Sequence, residues 1–192
     1  MTPTSGNRVR EIESWFRDHE DGEFVVAASE HGPSVVGDSS AARTVIYTTK
    51  LHCLSHNLHA LDVGHPVMIV GRYGLPVYPD LVHFDGLPVG TRSYFVGDAD
   101  PPDVLAFVWL REHAAINWLG VSDKLLDQSP ASDLASLEIA MSEAEKQTMR
   151  LLPDLCPDYR DLLGPYCSGA LDRGFKIELE AAMISLGSRA KD

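Results

Sequence analysis

The sequence predicts an α/β fold: a mostly parallel sheet flanked by helices, with an N-terminal helix and a C-terminal helical layer. Short β-branched and aromatic runs alternate with segments of helical spacing from Thr44 onward. The 192 residues, 44% of them apolar, are enough to bury a substantial core without disulfides or metals as staples. An apolar run that ends in Asp98-Ala99-Asp100 and then breaks at Pro101-Pro102 reads as a strand feeding a helix.

In chain order, Val9, Ile12, Trp15 and Phe16 share one helical face within residues 9–19, which predicts an amphipathic helix packed on the body of the protein. Residues 24–28 read as a short apolar strand, residues 30–33 as a turn and Val35-Val36 as a short return strand. Residues 44–49 (TVIYTT) form the next strand, 51–61 a helix and 66–71 (PVMIVG) a further strand. Residues 75–87 read as a short helix and loop, 93–97 as a strand and 103–114 as a helix with Val104, Leu105, Val108 and Trp109 inward. Residues 116–121 are a candidate fourth strand of this repeating series.

Repeated strand, crossover and strand give a parallel sheet whose strand C-termini share one edge, where α/β proteins build their sites. That edge carries Thr48, Thr49, residues 71–74 and residues 98–103. Further on, Ser142-Glu143-Ala144-Glu145 is a capping box that opens a helix running to Leu152, where Pro153 stops it. A last helix over residues 171–186 places Phe175, Leu179, Ala182, Met183 and Leu186 on one face. The chain divides into an N-terminal helix and hairpin (1–43), an α/β core (44–122) and a helical layer (123–192).

A formal charge of −12 argues against sequence-independent nucleic-acid binding, which depends on Lys and Arg neutralising phosphates. Contact with nucleic acid then requires a local basic strip, a bridging divalent cation or a basic protein partner. Cys53, Cys156 and Cys167 make neither a CxxC pair nor an even disulfide framework and read as reduced packing residues. The first ten residues lack the apolar core of a signal peptide, and no stretch approaches the ~20 apolar residues needed to span a bilayer, so a cytoplasmic location is expected.

Asp98 and Asp100 alternate along an extended segment and so face the same way, while Asp103 stands where a helix begins. Read plainly, the first two are turn residues and the third an N-cap. Read chemically, hard oxygen ligands on a rigid strand end suit Mg²⁺ or Mn²⁺, the ions that clamp phosphoryl oxygens. The run over residues 44–121 resembles a TOPRIM domain, the Rossmann-like module of topoisomerases, bacterial-type primases and several nucleases. The likeness is to a strand ending in glycine (VGRYGLP, with Gly71 and Gly74) followed by a strand ending in DxD (Asp98, Asp100), and it is nearest in flavour to the topoisomerase VI A-subunit group. The later stretch Gly174-Phe175-Lys176-Ile177-Glu178-Leu179-Glu180 is similar to a GxKxExE segment near the end of such domains.

The resemblance implies a link to nucleic-acid metabolism and a weakly held Mg²⁺ or Mn²⁺ on Asp98, Asp100 and Asp103. Two departures qualify it. Thr48, Thr49 or Lys50 stands where the first strand should end in a catalytic glutamate, and Pro102-Asp103 replaces the glycine that usually follows DxD. Glu30 supplies the glutamate if residues 24–29 are instead the first strand. Gly71, Arg72 and Gly74 form a candidate phosphate-contacting loop.

His52, His56 and His59 share a helical face near Asp62 and His65, a second candidate metal site, although HExxH is absent. GxSxG, P-loop and GxGxxG motifs are also missing. The functional expectations are a metal-binding TOPRIM-like protein acting on nucleic acid with a protein partner, a degraded module of the same fold that binds a partner or supports an assembly, or a small-molecule phosphotransfer enzyme. Without the glutamate, little or no strand cleavage by the isolated chain is expected.

Overall fold

In the computed structural model, residues 5–18, 32–51, 64–72, 74–128 and 134–187 are described. Helix α1 (Ser5–Asp18) buries Ile12 and Trp15 and packs Val9 and Phe16 on the same core, as its spacing predicts. Strand β1 (Ser34–Val36) is exposed along its length. Strands β2 (Thr44–Thr48), β3 (Val67–Gly71) and β4 (Arg92–Val96) are largely buried, and a 3₁₀ segment (Tyr78–His83) lies between the last two. Helix α2 (Pro101–His113) follows, then β5 (Ile116–Trp118) and a short helix, α3 (Asp123–Leu126).

The five strands form one sheet in the order β1-β3-β2-β4-β5. β2 pairs in parallel with both β3 and β4, with Tyr47 opposite Val70 on one side and Phe95 on the other, and β4 pairs in parallel with β5. Only β1, at the edge, is antiparallel. β2 leads on to β3 on one side and β4 leads on to β5 on the other, so the chain leaves these two neighbouring strands in opposite directions and a crevice lies at their C-terminal ends. The expected adjacency of the three strands is therefore observed. Helix α2 is buried from Pro101 to Leu110. It is apolar on every side because it is packed between the sheet, α1 and helices of the C-terminal part.

That C-terminal part contains a 3₁₀ segment (Leu134–Leu137), β6 (Glu138–Ala140), α4 (Glu143–Met149), α5 (Leu152–Leu155), α6 (Tyr159–Leu163), α7 (Pro165–Asp172), β7 (Phe175–Ile177) and α8 (Leu179–Gly187). Both halves of the Ser142 capping box are formed, with Ser142 Oγ accepting the Glu145 N–H and Glu145 accepting the Ser142 N–H at 2.7 Å. Ser142→Ala is expected to cost about 1 kcal/mol, measured as a lower midpoint in urea denaturation with an unchanged slope.

Three expectations are corrected. Pro153 sits in the first turn of α5 instead of ending the preceding helix, since a first-turn proline forfeits no intrahelical bond. The single helix over residues 171–186 is two helices separated by β7: Gly174 turns the chain at φ +86°, and residues 175–177 pair antiparallel with β6. Phe175 is thus a strand residue, because tertiary pairing outweighs a helical spacing that happened to suit it. Asp103 is not the N-cap of α2. Asp100 is, with its carboxylate accepting the Asp103 N–H and both prolines in the first turn. The strand expected at 24–28 and the helix expected beyond Leu51 lie outside the described residues.

Candidate metal centre

The crevice between β2 and β4 is where the acidic residues converge. β4 ends at Val96, and Gly97 follows because a Cβ there would meet Asp103 Oδ2 at 2.5 Å and the Phe95 ring at 2.7 Å. The next residues are extended. Ala99 exchanges both backbone hydrogen bonds with Ile177, at 3.0 and 3.2 Å, so the DxD segment is fastened to β7. Asp98 Oδ1 accepts the Leu179 N–H at 2.8 Å, and Asp103 Oδ2 accepts the Asp98 N–H at 2.7 Å and the Thr49 hydroxyl at 3.0 Å.

One carboxylate oxygen from each of Asp98, Asp100 and Asp103 lies within 4.8 Å of the others, and all three residues are buried. Such a group of hard oxygens can hold a divalent cation.

Lys50, one of the three residues at the position of the expected glutamate, reaches this group. Its Nζ lies 2.6 Å from Asp98 Oδ2. Thr48 accepts the Lys50 N–H through its hydroxyl, and Thr49 is committed to Asp103. Burial, reinforced by the charge of Asp103, pushes the Asp98 carboxyl up to about 7 despite Lys50. Burial and the neighbouring carboxylates raise Asp100 well above the usual range, and burial raises Asp103 as well. Burial opposes the Lys50 charge, but Asp98, Asp103 and Asp100 outweigh it and hold the ammonium above the ordinary lysine value.

The centre opens into a cleft of about 560 Å³ walled by Thr49, Lys50, Asp100, Asp103, Lys176 and Glu178, among others. Lys176 spans two carboxylates, 2.9 Å from Glu145 and 3.3 Å from Glu178. Sequence spacing identifies Glu145 only as half of a capping box. Its second oxygen serves the cleft, which no spacing rule reveals because Lys176 arrives from β7. Lys176 and Glu178 belong to the GFKIELE stretch that the sequence singles out.

Of the candidate phosphate loop, Gly74 lines the cleft. Gly71 is packed on Leu51, whose side chain a Cβ would meet at 2.6 Å. Arg72, expected to contact phosphate, points inward instead. It is 5% exposed, and its guanidinium makes a two-pronged contact with the buried Asp80, which also accepts the Tyr47 hydroxyl at 2.8 Å. A buried carboxylate demands a counter-charge, and Arg72 supplies it. Glu30, Cys53, His52, His56, His59 and Asp62 lie outside the described residues, while His65 bonds Thr44 at 2.9 Å. Cys156 and Cys167 are buried free thiols. No described helix is long and apolar enough to cross a membrane. Neither protein-family models nor curated proteins give a match to this chain.

Proposed function

We propose that this protein is a TOPRIM-like, divalent-cation-binding component of nucleic-acid metabolism that holds Mg²⁺ or Mn²⁺ at the acidic strand end and meets nucleic acid together with a protein partner. The observation that supports this best is the convergence of three buried carboxylates on the edge of a parallel sheet, beside an open cleft. Oxygen donors without thiolate or imidazole match hard cations. Such an ion, when bound, neutralises and clamps phosphate oxygens.

The chain's own residues restrict the chemistry at this centre. Lys50 keeps its proton near neutral pH and so cannot serve as a general base. Thr48 and Thr49 do not titrate in that range and are engaged by Lys50 and Asp103. The Lys50–Asp98 pair therefore favours a second reading of the same scaffold, a partner-binding or assembly module that cuts no strand.

Manganese binding followed by electron paramagnetic resonance tests the proposal. Weak binding by the wild type is expected, with loss of at least about tenfold in Asp100→Asn. Plasmid and single-stranded DNA are expected to survive incubation with pure protein and Mn²⁺ or Mg²⁺. Robust cleavage that disappears in Asp100→Asn would place the chain among working nucleases, and an absence of metal binding would leave only the assembly module.

A further inference from the structure

The three carboxylates are not equivalent. Asp98 Oδ1 accepts the Leu179 N–H, and its buried Oδ2 is held by the charge of Lys50 Nζ, 2.6 Å away. It lies behind the cleft wall with its side chain 1% exposed, whereas Asp100 and Asp103 line the cleft. Each of those two commits one oxygen inward, Asp100 Oδ1 to the Asp103 N–H and Asp103 Oδ2 to the Asp98 N–H and Thr49. Among the described residues, neither a hydrogen bond nor an ion pair reaches Asp100 Oδ2 or Asp103 Oδ1, whereas Asp98 Oδ2 has the Lys50 ammonium.

The charges divide in the same way. The Lys50 ammonium balances one carboxylate, and Lys176, the other ammonium on the cleft wall, is held by Glu145 and Glu178. Asp100 and Asp103, which have no ion pair of their own among the described residues, then face the cleft. A metal at Asp98 Oδ2 would have to displace Lys50, whose ammonium stands on the cleft wall and repels an incoming dication.

We propose that Lys50 is the resident counter-cation of Asp98, so that Asp98 is a positioning residue tying the strand end to α8, and a divalent cation is held by Asp100 and Asp103. This assignment rests on the cation-binding function proposed above. It replaces the alternating pair Asp98 and Asp100 with a pair formed across the first turn of α2. It also predicts opposite signs for the two halves of the ion pair. Removing the ammonium leaves extra negative charge beside the metal, whereas removing the carboxylate frees an ammonium to repel it.

The test is a Mn²⁺ titration, read by electron paramagnetic resonance, of the full chain and five variants. Lys50→Met is expected to tighten binding and Asp98→Asn to weaken it, and the two together are expected to return affinity to within about twofold of wild type. Asp100→Asn and Asp103→Asn are each expected to weaken it by at least about tenfold. Loss of binding in Lys50→Met/Asp98→Asn as severe as in Asp100→Asn overturns the assignment, as does weakening in Lys50→Met. If the wild type binds no Mn²⁺, the cation-binding function and the ligand assignment fail together. Thermal melts in EDTA then judge the remaining claim: Lys50→Met should lower the melting temperature and added Asp98→Asn should recover part of the loss, and purely additive losses refute the anchoring pair.

Discussion

Replacing Arg72 with alanine is expected to cost the native state about 3–5 kcal/mol, because it strips a buried carboxylate of its cationic partner. Asp80 is fully buried, and its oxygens are shared among the Arg72 guanidinium, the Tyr47 hydroxyl and the Val77 N–H. Tyr47→Phe removes one neutral donor from the same carboxylate and is expected to cost about 1–2 kcal/mol. Burial, with the Asp80 charge second, raises the Tyr47 hydroxyl well above its ordinary value, so it remains a donor throughout the neutral range. Urea denaturation followed by fluorescence measures both losses. A fully stable Arg72→Ala protein would mean that the guanidinium faces outward and would restore Arg72 as a candidate phosphate contact.

The second large effect is a dependence of stability on pH that runs against the usual acid denaturation. Asp98 titrates near 7 in the native state and at an ordinary 3.8 when unpaired, and Asp100 and Asp103 are shifted in the same direction by burial. The native state therefore binds these protons more tightly than the unfolded chain does. Stability carried by the protonated carboxyls is lost as pH rises from 3.8 through about 7.

Arg111 shifts Asp158 downward, and at Asp172 burial acts upward but is outweighed by Arg160 and the Tyr159 hydroxyl, so their contributions are lost only in more acidic solution. In EDTA, the melting temperature is expected to be lower at about pH 8 than at about pH 5. Saturating Mn²⁺ should flatten this slope by taking the place of the protons. A metal-free melting temperature that rises across the same interval would show that the acidic group is fully compensated by Lys50 and its neighbours.

Features legible in residue order alone are mostly local. The apolar periods of β2, β3 and β4 specify buried strands, and their alternation with helical segments specifies parallel pairing and a shared C-terminal edge. The α1 face, the Ser142 capping box and the acidic strand end are legible for the same reason, since each depends on residues within one or two turns of one another.

Contacts that depend on long-range approach had to await the folded chain. Lys50 and Asp98 are far apart in sequence and meet only because β2 and β4 are neighbours. Leu179 donates to Asp98, and Ile177 pairs with Ala99, only because β7 docks on the strand end. The same long-range pairing turns residues 175–177 of an expected helix into a strand, and burial turns Arg72 from a candidate ligand contact into a counter-ion. Local patterns bias which backbone states are cheap. Whether a charge must find a partner is set by how much water the rest of the chain removes from around it.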